Sequence, residues 1–398
     1  MKNSGVTSHH PGLADGPIYL DYNATTPVDP RVAEAALPYL TTHFGNPSSG
    51  HAYAERPRRA LGEARQRLAD LIGAQPADIV FTAGGSEADN LAIRGTALAH
   101  DQAAPAQIIT QASEHPAVLE TCRSLQRLHG IQVRYLPVDR EGLVDPAALA
   151  EALTPDTVLV SIMAANNETG VLQPITELAG IAHARGVLFH TDAAQAAGKI
   201  PIDATAWGVD LLTIAGHKMY APKGIGALYV RAGVRLEPLV YGGGQERGLR
   251  AGTESAALAV ALGAAAQLAR AELDAGTDRI RSLRNLLHHR LDELLPGRVQ
   301  LNGHRDRRLP NTLNVSITGV RGDDLLAATP GIAAATGSAC HTGTPEPSPV
   351  LLAMGHDPGR ALSALRLTLG RWTTRDDIEQ AAHQIAAGAV AAHPTAML

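Results

Sequence analysis

Five short polar segments each follow an apolar, strand-like run, and together they carry the residues that could do chemistry. Taken singly, the first four are explained at least as well, and mostly better, by a helix cap or an ordinary polar turn. Because the carboxyl ends of parallel strands meet at one edge of a sheet, all five are expected to lie together. The segments are Gly84-Gly85-Ser86, Ser113-Glu114-His115, Asn166-Asn167, Asp192 with Gln195, and Gly216-His217-Lys218.

Lys218 is the most informative of these residues. It follows a buried strand directly and lies among small residues, where an ammonium group without a partner is costly. A lysine that forms a Schiff base with an aldehyde is no longer a buried ammonium. With a glycine-rich turn suited to phosphate, an acid and an amide, the set meets the requirements of pyridoxal phosphate (PLP).

The elements that would position these segments alternate along the chain. Apolar strand-like runs such as IVFT, QIIT, TVLVSIM, VLFHTD, LLTIAG and GALYV are separated by alanine-rich helical stretches from about residue 79 to 230. This alternation predicts an α/β domain with a mostly parallel sheet covered by helices. A helical stretch over residues 254–274 and a second around 281–295, strand-like TLNVSI and a final helix from Asp376 predict a smaller α+β C-terminal domain.

Composition narrows the class of protein further. The 398 residues are 45% apolar and 18% charged, with a formal net charge of −5, so we expect a globular chain without a general affinity for nucleic acid or anionic membrane. No secretory signal or membrane span is evident, which predicts a cytoplasmic location. Neither the two cysteines nor the 17 histidines have the spacing of a disulfide framework or a metal site.

The motifs match one known family in a single order along most of the chain. The sequence resembles the class V aminotransferase branch of the fold-type-I PLP enzymes, and within it the cysteine desulfurases and selenocysteine lyases. The matching stretches are IYLDYNATTP (18–27), FGNPSS (44–49), IVFTAGGSEADNLAI (79–93), SIMAANNETG (161–170), HTDAAQ (190–195), GHK (216–218), GGGQERGLRAGTES (242–255), TGSACHTG (336–343) and RLTLGRWTT (366–374).

The resemblance implies a role for each matched site residue. Lys218 is implied as the Schiff-base lysine and the base that moves the α-proton, and Arg366 as the residue that binds the substrate carboxylate, with Asn46 at that end. Without the motif, Arg366 would be read as a strand residue with a local ion pair. The implied PLP contacts are His115 stacked on the ring, Asp192 at the pyridine nitrogen, Gln195 at the phenolic oxygen, Asn167 beside the ring, Gly85, Ser86 and His217 at the phosphate, and Thr253 from a neighbouring subunit.

Cys340 distinguishes this branch from transaminases. It lies in a small-residue, proline-rich stretch that predicts an exposed, mobile loop, and the resemblance implies that its thiolate collects sulfur as a persulfide. The adjacent His341 would favour the thiolate if charged, and is equally explained as a solvated loop residue. Cys122, on a predicted helix, is expected to be structural. Ala215 replaces a serine that binds the phosphate in many relatives.

The resulting hypothesis is a cysteine desulfurase that converts L-cysteine to L-alanine, the alternatives being a selenocysteine lyase, another PLP enzyme of this fold, and a non-catalytic binding protein. We expect a tail (1–17), a large PLP-binding domain (18–262) and a small domain with the cysteine loop (263–398). The Thr253 role implies a homodimer with shared sites. The persulfide would pass to an acceptor protein that the sequence does not identify.

Overall fold

The structure is a computed structural model that describes residues 10–100, 104–337 and 346–392. Two sheets and a two-stranded ladder are formed by these residues. The strands are β1 (Ile18–Tyr19), β2 (Ile79–Thr82), β3 (Gln107–Gln111), β4 (Gln132–Leu136), β5 (Thr157–Ser161), β6 (Leu188–Asp192), β7 (Leu211–Ala215), β8 (Gly226–Val230), β9 (Val299–Leu301), β10 (Thr312–Ile317), β11 (Ile332–Ala333) and β12 (Ala364–Thr368).

The main sheet has seven strands in the order β2-β8-β7-β6-β5-β3-β4. Six of them run parallel to one another, and β8 runs antiparallel to its neighbours β2 and β7. Strands β2, β7 and β8 are buried along their whole length, as expected for strands that helices cover on both faces. The predicted α/β class with a mostly parallel sheet is confirmed.

The helices pack around this sheet and against a smaller second sheet. They are α1 (Pro30–Thr41), α2 (Ala52–Ile72), α3 (Gly85–Ala99), α4 (Pro116–His129), α5 (Pro146–Ala152), α6 (Ile175–His183), α7 (Ala204–Trp207), α8 (Ala256–Leu294), α9 (Gly322–Ala327), α10 (Pro349–Ala353), α11 (Pro358–Leu362) and α12 (Arg375–Ala391). Their ends follow local sequence rules. For example, α4 begins with Pro116 after an N-cap at His115 and ends at Gly130, which adopts a left-handed conformation.

The second sheet is antiparallel, in the order β12-β10-β9. Its core includes Leu313 and Leu365 and the apolar faces of α8 and α12, to which Leu287 and Ile378 belong. The short ladder of β1 and β11 joins the start of the chain to this unit, because Leu20 lies in the same core. The predicted strand at 312–317 and the predicted final helix are both present.

Helix α8 differs from its prediction, because one continuous helix of 39 residues replaces the two predicted helical stretches. It contributes Ala269 to the core of the main sheet and Ile280 to that of the second sheet. The predicted domain boundary at residues 262/263 falls within this helix and stays a prediction. Among the described residues α8 is long and apolar enough to cross a membrane, which the sequence analysis overlooked, but 56% of its most apolar window is buried inside the protein.

Candidate active site

The five polar segments lie beyond the carboxyl ends of five parallel strands. Strand β2 leads to the start of α3, β3 to His115, β5 to Asn167, β7 to Lys218, and β6 ends at Asp192. Since β2, β3, β5, β6 and β7 share one direction, these residues lie at one edge of the sheet, as the sequence predicts.

Lys218 ends a single 3-10 turn that follows β7. Burial lowers the pKa of its amine, the charge of Asp192 opposes this shift, and that of Arg366 adds to it. A lysine whose pKa is lowered keeps more of its amine in the neutral, nucleophilic form near neutral pH. A cavity of about 620 Å³ extends from Lys218 towards α8 and the 369–374 segment.

His115 presents a neutral ring to this edge of the sheet. Its Nδ1 accepts a hydrogen bond from the backbone N–H of Ala117 at 3.1 Å, which places the ring proton on Nε2. Burial lowers the pKa of the imidazole, and the charge of Lys218 lowers it further. A neutral aromatic ring at this position has the properties needed to stack on a flat cofactor.

Asp192 is a buried acid at the end of β6, and its Oδ1 accepts a hydrogen bond from the backbone N–H of Ala194 at 2.8 Å. Two further buried acids, Asp89 and Glu114, lie near it. Burial raises the pKa of both carboxyl groups well above the usual range, and the charge of Asp192 raises them further. Burial and the charge of Asp192 thus both favour the protonated form of Asp89 and Glu114.

The start of α3 forms a cradle suited to an anion. Backbone N–H groups of Gly85 and Ser86 lie in the first turn, and the Ser86 side chain is exposed. A Cβ on Gly85 would lie 3.2 Å from the Cβ of Ala215, so the cradle packs tightly against the end of β7. The residue at 215 thus borders the cradle, but its alanine side chain offers no donor.

His217 lies next to Lys218 in the chain. Its Nδ1 is 3.1 Å from Thr25 Oγ1, and burial together with nearby lysine charges, Lys218 first among them, lowers its pKa to about 4. A neutral imidazole bonded at Nδ1 leaves Nε2 available for another contact.

Gln195 is buried and fixed at both ends of its side chain. Its Nε2 donates to the backbone oxygen of Asn23 at 2.9 Å, and its Oε1 accepts from Lys199 Nζ at 2.7 Å. The half-buried Asn167 is joined to the same network, because its backbone oxygen accepts from Asn23 Nδ2 at 3.2 Å.

Arg366 is a buried residue of β12, and it forms the local ion pair that its position suggested. One terminal nitrogen donates to Asp21 Oδ1 at 2.8 Å, and the other donates to the backbone oxygen of Asn167 at 3.3 Å. Its Nε is buried and has no hydrogen-bond partner within the described ranges. An unused buried donor on a guanidinium is what a carboxylate ligand would need.

The structure leaves three of the predicted residues outside this cluster or without a test. Asn46 is exposed and accepts a hydrogen bond from the backbone N–H of Ser48 at 2.9 Å. Thr253 is also exposed and borders a cavity of about 210 Å³ near Ala83. Cys340 and its neighbour His341 lie outside the described residues.

Cys122, the other cysteine, is buried on α4. Burial raises the pKa of its thiol to about 12, with a smaller contribution from the charge of Glu114. Such a thiol forms little thiolate, as a structural cysteine should.

Sequence reasoning gave no role to four residues that complete the site. Lys199 and Asn23 hold Gln195, Asp21 pairs with Arg366, and Asp89 lies beside Asp192. Lys199 could have been noticed in the sequence because it lies four residues after the matched residue Gln195. Asp21 and Asn23 lay within a matched motif.

The donor set fits PLP. The structure supplies a lysine amine with a lowered pKa, a buried acid beside it, a neutral aromatic ring and a helix start free of large side chains. These are the groups that bind the aldehyde, the ring nitrogen, the ring face and the phosphate of that cofactor.

The chain belongs to the class V aminotransferase family, which matches it over residues 18–381. It is therefore a PLP-dependent enzyme of fold type I. A cysteine desulfurase IscS of Rickettsia akari is 47% identical over 93% of this chain and 90% of its own length. A solved NifS-like protein is 35% identical over 93% of this chain and 98% of its own, with a TM-score of 0.87. A structure described as SspA in complex with cysteine is 36% identical over 89% of this chain and 99% of its own, with a TM-score of 0.79.

Proposed function

We propose that the chain is a cysteine desulfurase that converts L-cysteine to L-alanine and transfers the sulfur to Cys340. The observation that carries the proposal is the position of Lys218 directly after β7, where burial lowers the pKa of its amine and the charges of Asp192 and Arg366 both act on it. The names of the relatives, cysteine desulfurase and a protein in complex with cysteine, support sulfur rather than selenium as the element released.

Each of the site residues has a separate role in the proposed reaction. Bound PLP supplies an electron-withdrawing ring that makes the α-proton of an attached amino acid acidic. Arg366 holds the substrate carboxylate through its free Nε edge, and Lys218 accepts the α-proton once its amine is released. His115 would stack on the ring face of the bound cofactor, and Asp192 would keep the ring nitrogen protonated.

Sulfur transfer needs no external oxidant or reductant. The Cys340 thiolate attacks the substrate sulfur, so an S–S bond forms while the Cβ–S bond breaks. The electron pair of the broken bond stays with the carbon fragment, which takes up a proton to become the methyl group of alanine. The sulfur atom is oxidised to the persulfide level, and the β-carbon is reduced by the same two electrons.

The remaining expectations from the sequence stay proposals. These are the contacts of Asn46 and Asn167, the phosphate contacts of Gly85, Ser86 and His217, a homodimer with Thr253 shared between sites, a sulfur-acceptor protein and a cytoplasmic location.

Mass spectrometry of the holoenzyme after brief exposure to L-cysteine tests the proposal. We expect one added sulfur on Cys340 and release of alanine. Cys340→Ala should abolish both, whereas the matched control Cys122→Ala should keep both. Alanine release by Cys340→Ala at the wild-type rate would instead indicate another lyase of this fold, and loss of cysteine turnover alone, with selenocysteine turnover retained, would indicate a selenocysteine lyase.

A further inference from the structure

Lys199 points back into the site from the end of the turn that follows β6. Its Nζ donates to Gln195 Oε1 at 2.7 Å and to Asn23 Oδ1 at 3.2 Å. The preceding Gly198 has a φ of 73°, and a Cβ there would lie 2.9 Å from Met219 Cγ. The backbone is thus closely packed at Gly198, the residue after which Lys199 turns into the site.

The two hydrogen bonds of Gln195 define which end of its amide faces which neighbour. An amine of lysine can donate to Gln195 Oε1, and a backbone oxygen such as that of Asn23 can only accept. The amide therefore has its oxygen towards Lys199 and its nitrogen towards Asn23. The opposite orientation would place an N–H group against the amine and an oxygen against the Asn23 carbonyl.

This orientation leaves one N–H of Gln195 without an acceptor among the residues that the structure describes. The Nε2 group has two hydrogens, and the Asn23 carbonyl takes one of them. The second is free for an acceptor on the cofactor, whereas a reversed amide would offer that acceptor an oxygen and repel it.

We propose that Lys199 is a positioning residue that fixes the amide of Gln195 so that its free N–H meets the phenolic oxygen of PLP. The inference rests on the proposed function and on the role at the phenolic oxygen that the resemblance implies for Gln195, and it adds a residue that acts through Gln195. Lys199 can do this in either charge state, because a neutral amine still has two hydrogens for its two acceptors.

The charges at the site favour the neutral state. Burial lowers the pKa of Lys199 well below its usual range, and the charges of Lys218 and Arg366 lower it further. A neutral amine would orient Gln195 without adding a third positive charge beside Lys218 and Arg366.

The test compares Lys199→Met with Lys199→Arg. Methionine keeps the packing of the side chain but loses the donor, and arginine keeps a donor. Arg134→Met serves as the control, because Arg134 is an exposed cation on β4, the outermost strand of the main sheet. The two readouts are the dissociation constant of PLP from the apoenzyme and the pH midpoint of the visible absorption band of the bound cofactor.

We expect Lys199→Met to weaken PLP binding about fivefold to tenfold, as for one net hydrogen bond, and to shift the pH midpoint of the band. Lys199→Arg should restore both in part, and Arg134→Met should change neither. In a Gln195→Ala background, Lys199→Met should add no further effect. An unchanged band in Lys199→Met, or an equal effect in the Gln195→Ala background, would overturn the inference. A wild-type protein that binds no PLP would instead refute the proposed function.

Discussion

Replacing Glu168 by glutamine should change how the stability of the protein depends on pH. Glu168 is buried beside the site, and its Oε2 accepts a hydrogen bond from Ser348 Oγ at 2.5 Å. Burial raises the pKa of its carboxyl group from 4.5 to about 7, although the bond to Ser348 and the charge of Arg366 oppose the shift.

The sign of the effect follows from the two pKa values. Between pH 4.5 and 7 the folded protein holds a proton on Glu168 that the unfolded chain has released, so the stability conferred by this group falls as the pH rises. A pKa of about 7 in place of 4.5 corresponds to about 3 kcal/mol, and most of this change in stability falls between pH 5 and pH 8. Glutamine has no such proton to lose.

Urea denaturation of wild type and Glu168→Gln at equal PLP loading measures this difference. We expect the free energy of unfolding of the variant to rise relative to wild type by about 2 to 3 kcal/mol between pH 5 and pH 8. Glu177→Gln, at an exposed carboxylate, should show no comparable trend. If the free energies of unfolding of wild type and Glu168→Gln differed by the same amount at every pH in this range, the raised pKa assigned to Glu168 would be refuted.

Three further outcomes are expected. Arg366→Lys should raise the KM for L-cysteine about tenfold or more with a smaller effect on kcat, because a lysine cannot pair with a carboxylate through a planar fork, and steady-state kinetics will show the split. Thr25→Val should weaken PLP binding several-fold by releasing the His217 ring from its 3.1 Å contact, as equilibrium titration of the apoenzyme would show. Cys122→Ala should leave the labelling of Cys340 intact and lower the stability of the protein by about 1 kcal/mol in the same urea assay. Equal KM values, equal PLP affinity or a loss of labelling would contradict the respective outcome.

The cluster of polar residues at one edge of the sheet could be predicted, because fully apolar strands and the polar residues that follow them are local features of the sequence. Strand β4, the outermost strand of the main sheet, was not predicted. Most of its residues alternate between exposed and partly buried positions, so its sequence lacks a continuous apolar run. Helix α8 was divided in two because its middle, around residues 271–279, is largely exposed and polar, which interrupts the apolar pattern.

The partners of the site residues could not be predicted from local patterns. Asn23 and Lys199 are 176 residues apart, and Asp21 and Arg366 are 345 apart, so only the folded chain brings them together. The family resemblance indicated that these stretches matter, but it assigned no contact between them. The position of Cys340, which the same resemblance singles out, lies outside the described residues.

The distribution of charge explains why so many ionisable groups can share this edge of the sheet. Lys218, Lys199 and Arg366 are basic, and burial of the two amines lowers their pKa values, so they need not all be cationic at once. On the acidic side, burial raises the pKa of Asp89 and of Glu114 well above the usual range, and the charge of Asp192 raises both further. If all three acids were ionised, their mutual repulsion would have to be offset within a nearly dry interior. Because burial raises the pKa of two of these acids, Asp192 is the acid best placed to pair with a protonated ring nitrogen.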